Sequence, residues 1–185
     1  MITIAPYDPR WVDDFQRLAA ALRESLGALA LRIDHIGSTA VPGLAAKDVI
    51  DVQVTVAALA EPEIGRRLLA AGFAPQQPTE DHVPPGAAAD LAGWQKRLFK
   101  ERPDERRVNI HVREQGRPNQ RYALLMRDHL RAHRATADAY AELKRRLAAA
   151  LADDEAYPDV KDPAVDLIYL AAEDWARRTG WTPDD

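Results

Sequence analysis

The segment VIDVQVTV (residues 49–56) constrains the chain more than any other. Ile50, Val52, Val54 and Val56 alternate with Asp51, Gln53 and Thr55. A strand here therefore buries a β-branched face and gathers three polar side chains on the other. β-branched residues lose rotamer freedom in a helix and fit a pleated surface, which favours the strand. The apolar face needs covering elements, and the polar face presents Asp51 and Gln53 at period two.

Covering elements are legible on both sides. Asp8-Pro9 is a start signal for a helix, and Trp11, Phe15, Leu18, Leu22, Leu26 and Leu29 follow as one apolar stripe. LRIDHIGS (31–38) changes to period two, with Leu31, Ile33 and His35 facing one way and Arg32, Asp34 and Ile36 the other. Residues 61–71 read as a short helix closed by Gly72. Residues 74–93 are rich in Pro, Gly, Ala and Asp and read as an irregular or mobile loop.

WQKRLFKE (94–101) and RVNIHVRE (107–114) are two strands of a hairpin turning at Pro103-Asp104. In the second, Val108, Ile110 and Val112 alternate with Asn109, His111 and Arg113. A helical pattern runs from Asn119 to about Leu151 with a break near His133, and Asp162-Pro163 opens a last helix. With no internal repeat or linker signature, residues 1–185 are expected to form a single α+β domain. Its small mixed sheet is flanked by helices and followed by a C-terminal helical pair.

Composition narrows the chemistry. The chain has no cysteine, so disulfides, thiolate nucleophiles and Cys-held metals are excluded, and any metal must be held by oxygen and imidazole. The net charge of −4 gives no general attraction to polyanions. The Arg-rich stretch 121–146 also carries acidic residues, and neither a basic tail nor an aromatic stacking platform is present. No nucleic-acid partner is expected. No uncharged run approaches the roughly 18 residues of a membrane span, and no targeting segment is visible. A cytoplasmic protein without a membrane partner is expected.

Gly37-Ser38-Thr39 follows a strand and opens a turn, offering unpaired N–H groups and a hydroxyl to a phosphate. Asp51, one strand later, is placed to hold Mg²⁺ against phosphate oxygens. Lys47 precedes that strand and can supply a point charge. His111 and Arg113 join Asp51 and Gln53 if NIHV lies beside VIDVQV with the same facing. Arg97, Lys100, Arg106 and Arg107 either line an anion site or guard a sheet edge. His35 reads as a structural histidine, and His129, Arg131, His133 and Arg134 as the solvated face of a helix. His82 carries no signal.

The run IDHIGSTAVPGLAAKDVIDVQV (33–54) closely resembles the signature of the GrpB family. The match continues through YDPRW (7–11), RLFK (97–100), NIHV (109–112) and RYALLMRDHLRAH…ADAYAELKRRLA (121–148). The resemblance implies a nucleotidyltransferase-like fold in a family largely without assigned function. It also implies a partner, since similar domains occur fused to dephospho-CoA kinase.

By that resemblance Gly37 and Ser38 would bind the phosphates of a nucleoside triphosphate or a CoA-like molecule, and Thr39, Lys47 and Arg97 are the further phosphate candidates that their own positions offer. Asp51, Gln53 and His111 would hold a divalent ion, Mg²⁺ or Mn²⁺, and Asp51 and His111 would be catalytic, His111 as a ligand or a general base. Gln53 stands where a second carboxylate is expected and His111 where a third is. That set suits two-metal phosphoryl chemistry poorly. Two readings follow: transfer of a nucleotidyl group to an acceptor, or a catalytically impaired accessory module that assists a partner.

Overall fold

A computed structural model describes residues 2–87, 91–101, 105–151 and 156–183. Five strands form one mixed sheet: β1 (Arg32–Ile36), β2 (Ile50–Val56), β3 (Ala74–Gln76), β4 (Arg97–Lys100) and β5 (Val108–Glu114), in the order β1-β2-β5-β4-β3. β2 and β5 run parallel, and the other neighbours are antiparallel. Five helices surround the sheet: α1 (Arg10–Leu26), α2 (Pro62–Ala70), α3 (Pro118–Ala132), α4 (Arg134–Ala150) and α5 (Tyr157–Thr179). The fold class is α+β, with a mixed sheet, as expected.

The core-facing side follows the sequence pattern. Ile50, Val52, Val54 and Val56 pack with Val108, Ile110, Val112 and Phe99, and with Trp11, Leu22, Leu26, Ile64 and Leu68 from α1 and α2. Burying such side chains contributes about 1.5–3 kcal/mol each, and the parallel β2–β5 pair at the centre is the part that needs it most. His35 belongs to this side. It stacks on Phe15 with centroids 4.6 Å apart and lies 3.0 Å from Thr39 Oγ1. Burial pushes its imidazole down to about 4.

α3 packs across β1, β2 and β5 on the other side of the sheet, and α5 packs on α3 and α4. α3 and α4 meet at His133, the break read from the sequence. α5 begins at Tyr157, five residues before the expected start, and Pro163 lies inside it. Pro158 at its first turn, where a proline has no amide bond to lose, explains the earlier start. The Pro103-Asp104 turn lies outside the described residues.

Two expectations are corrected. The 74–93 segment, of which 88–90 lie outside the described residues, is not a plain mobile loop. It contributes β3 to the sheet edge, and Asp81 and His82 fasten it to the body: Arg113 and Lys96 ion-pair with Asp81, while His82 Nε2 lies 2.9 Å from Asp166 Oδ1 on α5. His129 is not on a solvated face. It is buried, with its ring 4.1 Å from the His133 ring and against Trp175, because the α5 helix covers this side of α3.

Candidate functional site

The sheet register decides which polar residues meet. In the parallel β2–β5 pair Asp51 lies beside Asn109, Gln53 beside His111, and Thr55 beside Arg113. Directly opposed residues share a face, so NIHV does lie beside VIDVQV with the same facing. Asp51 Oδ1 accepts a hydrogen bond from the Asn109 amide at 2.7 Å and lies 3.8 Å from His111 Nε2. Burial works to raise the Asp51 carboxyl, but His111 and Asn109 outweigh it and hold the group below its ordinary value. Burial pushes the His111 imidazole down, against Asp51 and with help from Arg113. Each of the two groups favours the charged form of the other against its own burial.

Gln53 is turned to structural use. Its Oε1 accepts from Arg113 Nη1 at 2.7 Å, and its Nε2 donates to the Gln120 carbonyl on α3 at 3.1 Å. Arg113 in turn grips Asp81 with Nε and Nη2, and Lys96 reaches the same carboxylate at 2.6 Å. A guanidinium on the Gln53 oxygen occupies one of its two lone pairs and adds positive charge there, which disfavours a cation. Among the described residues no group of three or more His, Asp or Glu side chains is placed to share an ion. The donor set thus does not fit the expected arrangement of Asp51, Gln53 and His111 around one metal, and no step through a metal is derived.

The Gly37 turn abuts Asp51. Gly37 has φ +70°, and a Cβ there would lie 2.5 Å from Asp51 Oδ2, so only glycine lets the turn come this close to the carboxylate. Ser38, next in line, receives a hydrogen bond from the Lys144 ammonium at 2.9 Å. Lys144 Nζ also donates to the Ala45 carbonyl at 2.5 Å and sits over the Tyr140 ring. Burial pushes this lysine down to about 7, with Lys161 and Arg145 adding to the effect and Asp51 opposing it. The arrangement joins a hydroxyl, a buried amine and one carboxylate at the mouth of an exposed glycine turn.

Other expected site residues lie elsewhere. Thr39 is buried on the core side, against His35 and within 3.4 Å of the Val49 carbonyl, so its hydroxyl is not offered to a phosphate at the turn. Arg97 pairs with Val112 and so faces the core side. Its guanidinium bonds the Glu61 carbonyl at 3.0 Å and lies over the Phe99 ring, beneath Gly65 of α2. Period two puts it opposite to the Asp51 face, and it does not join the Ser38 cluster. Lys47 Nζ sits 3.8 Å from the centre of the Tyr157 ring. Arg106 is engaged by Asp14 and Asp48.

Lys144 is the residue that sequence reasoning passed over. Its signal was present: Ala137, Tyr140, Ala141 and Lys144 are the buried residues of α4, spaced three and four apart, so a lysine occupies a core position of the apolar stripe.

Comparison with known proteins agrees with the fold. The family model described as GrpB protein matches residues 1–170. A GrpB protein from Enterococcus faecalis has a solved structure with TM-score 0.76 at 28% identity, covering 92% of this chain and 96% of that one. A dephospho-CoA kinase of Mycolicibacterium paratuberculosis is 40% identical over 98% of this chain and 48% of its own length. A UPF0157 protein, BH1888 of Halalkalibacterium halodurans, is 37% identical over 80% of this chain and 69% of its own length. The chain spans about half the length of the dephospho-CoA kinases it matches. A structure of a cytoplasmic RNA terminal U-transferase aligns with TM-score 0.48 at 16% identity, over 76% of this chain and 41% of that one. Sequence and structure thus agree that the chain belongs to the GrpB family.

Proposed function

We propose that the protein binds the phosphate groups of a nucleotide or CoA-like molecule at Ser38 and Lys144, as a binding module without two-metal nucleotidyl transfer. The observation that carries this reading is the buried Lys144 ammonium aimed at Ser38 Oγ beside the Gly37 turn. A buried cation is costly unless an anion compensates it, and Asp51 opposes the downward push on Lys144. A phosphate entering between Ser38 and Lys144 would replace the bond they make to each other with two charge-assisted ones.

The relatives named dephospho-CoA kinase support a CoA-like or nucleotide ligand and a kinase partner. Gln53 supports the loss of metal chemistry, because its carbonyl oxygen is engaged by Arg113. The test is calorimetric titration of ATP and of CoA into the full chain and into Lys144→Gln. The reading expects binding that weakens at least tenfold in the variant. Equal binding by both proteins, or none by either at millimolar ligand, sinks it.

One observation favours nucleotidyl transfer as a second reading. Asp51 Oδ1 and His111 Nε2, 3.8 Å apart, are a pair that can take a proton from an acceptor hydroxyl. In that case Asp51→Asn abolishes pyrophosphate release from a nucleoside triphosphate, and a fully active variant removes the reading.

A further inference from the structure

The Ser38–Lys144 contact has a chemistry of its own. Ser38 Oγ and Lys144 Nζ are 2.9 Å apart, the distance of a nucleophile from its base. Lys144 is held from behind by the Ala45 carbonyl and by the face of Tyr140, whose phenol also lies within reach of Ser38. The amine thus has the Ala45 carbonyl, the Tyr140 ring and the Ser38 oxygen as its neighbours. Gly37, exposed and without a side chain, leaves the approach to Ser38 open.

We infer that Ser38 is an acylatable nucleophile with Lys144 as its general base, and that the substrate is an activated carboxylic acyl group. In the step, Ser38 Oγ attacks the acyl carbon and its proton passes to Lys144 Nζ. The bond from the acyl carbon to the leaving group breaks, and Lys144 returns the proton to that group. Water then attacks the acyl-serine ester, with Lys144 as base again, releasing the carboxylic acid and regenerating Ser38. The inference does not rest on phosphate binding, because a neutral electrophile is enough to reveal it.

The groups facing Lys144 fix the expected pH behaviour. Lys161 and Arg145 disfavour its ammonium, Asp51 favours it, and burial among Ser38, Ala45 and Tyr140 disfavours it most. The full chain is incubated with a fluorophosphonate, whose phosphorus takes the serine oxygen as fluoride leaves, and intact mass and peptide mapping locate the adduct. The result expected is one adduct, on Ser38, forming faster as pH rises through about 7 and absent in Ser38→Ala. Lys144→Arg keeps the charge but cannot act as a base, so it should label at least a hundredfold more slowly while still unfolding cooperatively.

No adduct on the wild-type chain, an adduct elsewhere, or undiminished labelling in Lys144→Arg overturns the inference. If that variant fails to fold, the wild-type pH profile decides alone: a rate flat from pH 5 to 9 overturns it. Labelling without ATP binding would keep this inference and sink the phosphate reading, and the reverse result would do the opposite.

Discussion

Arg113 donates from Nη1 to the Gln53 side-chain carbonyl at 2.7 Å, and both residues are buried on the polar face of the sheet. Gln53 passes the connection on to α3 through Gln120. The strand position that the family resemblance marks for a metal ligand instead ties β2, β5 and α3 together. Gln53→Ala leaves a buried guanidinium hydrogen without its partner and removes the second donor from the Gln120 carbonyl, and an orphaned buried group costs about 1–3 kcal/mol. Urea unfolding should show a loss of about 1–3 kcal/mol. Gln53→Glu, which keeps an acceptor for Arg113, should lose less.

Gly37→Ala should be among the most damaging single-methyl changes. The residue sits at φ +70°, and its new Cβ would meet Asp51 Oδ2 at 2.5 Å. Strain of about 1–3 kcal/mol is expected from the backbone alone, and the carboxylate must also move. The unfolding midpoint should fall, and the amide resonances of Asn109 and His111 should shift with the displaced Asp51. A variant as stable as the wild type would contradict the close approach.

Acid should weaken the fold well before carboxylates titrate. Burial pushes both His35 and His129 down to about 4. Each unfolded imidazole takes up its proton near 6.5, so between about pH 6.5 and 4 the unfolded state binds more protons and stability falls as pH falls. Each histidine accounts for at most roughly 3 kcal/mol over that window. Asp81, held far below the ordinary carboxylate range by Arg113 and Lys96 against its burial, adds its loss only below about pH 4. His129→Phe, which keeps the ring contacts with His133 and Trp175, should reduce the slope of stability against pH by about one proton's share.

Base should do the reverse through Lys144. Its folded amine is pushed down to about 7, while an unfolded lysine holds its proton to about 10.4. Between these values the unfolded state carries the extra proton, so stability rises from pH 7 to about 9.5. Burial raises the Tyr140 and Tyr122 phenols, chiefly by desolvation, so above about pH 10 the unfolded state loses protons that these groups keep and the trend turns down. Lys144→Met, measured by urea unfolding at pH 7 and 9, should flatten the rise.

What the sequence made legible was whatever period two and period three-to-four encode. Alternation in residues 49–56 and 107–114 separated Asp51, Gln53 and His111 from the apolar face, and the parallel register then set them side by side. Arg97 was open to misreading because a long cationic side chain on a core-facing position can reach round to carbonyls at the edge, as it does at Glu61. Thr39 shares a turn with Ser38, yet the turn points the two hydroxyls to opposite sides of β1, which spacing cannot show. His129 was hidden because it looks like a solvated helix residue until α5 is packed against it, a contact spanning 46 residues of chain. Lys144 stands on the apolar stripe of its helix, but its partner Ser38 lies 106 residues away.

The most direct test of phosphate binding without a metal cluster is a titration of ATP into the full chain in EDTA and again in Mn²⁺, with pyrophosphate release followed in both. Binding in EDTA within threefold of that in Mn²⁺, and no pyrophosphate in either, is the predicted result. Binding that requires Mn²⁺, accompanied by pyrophosphate release, would contradict it.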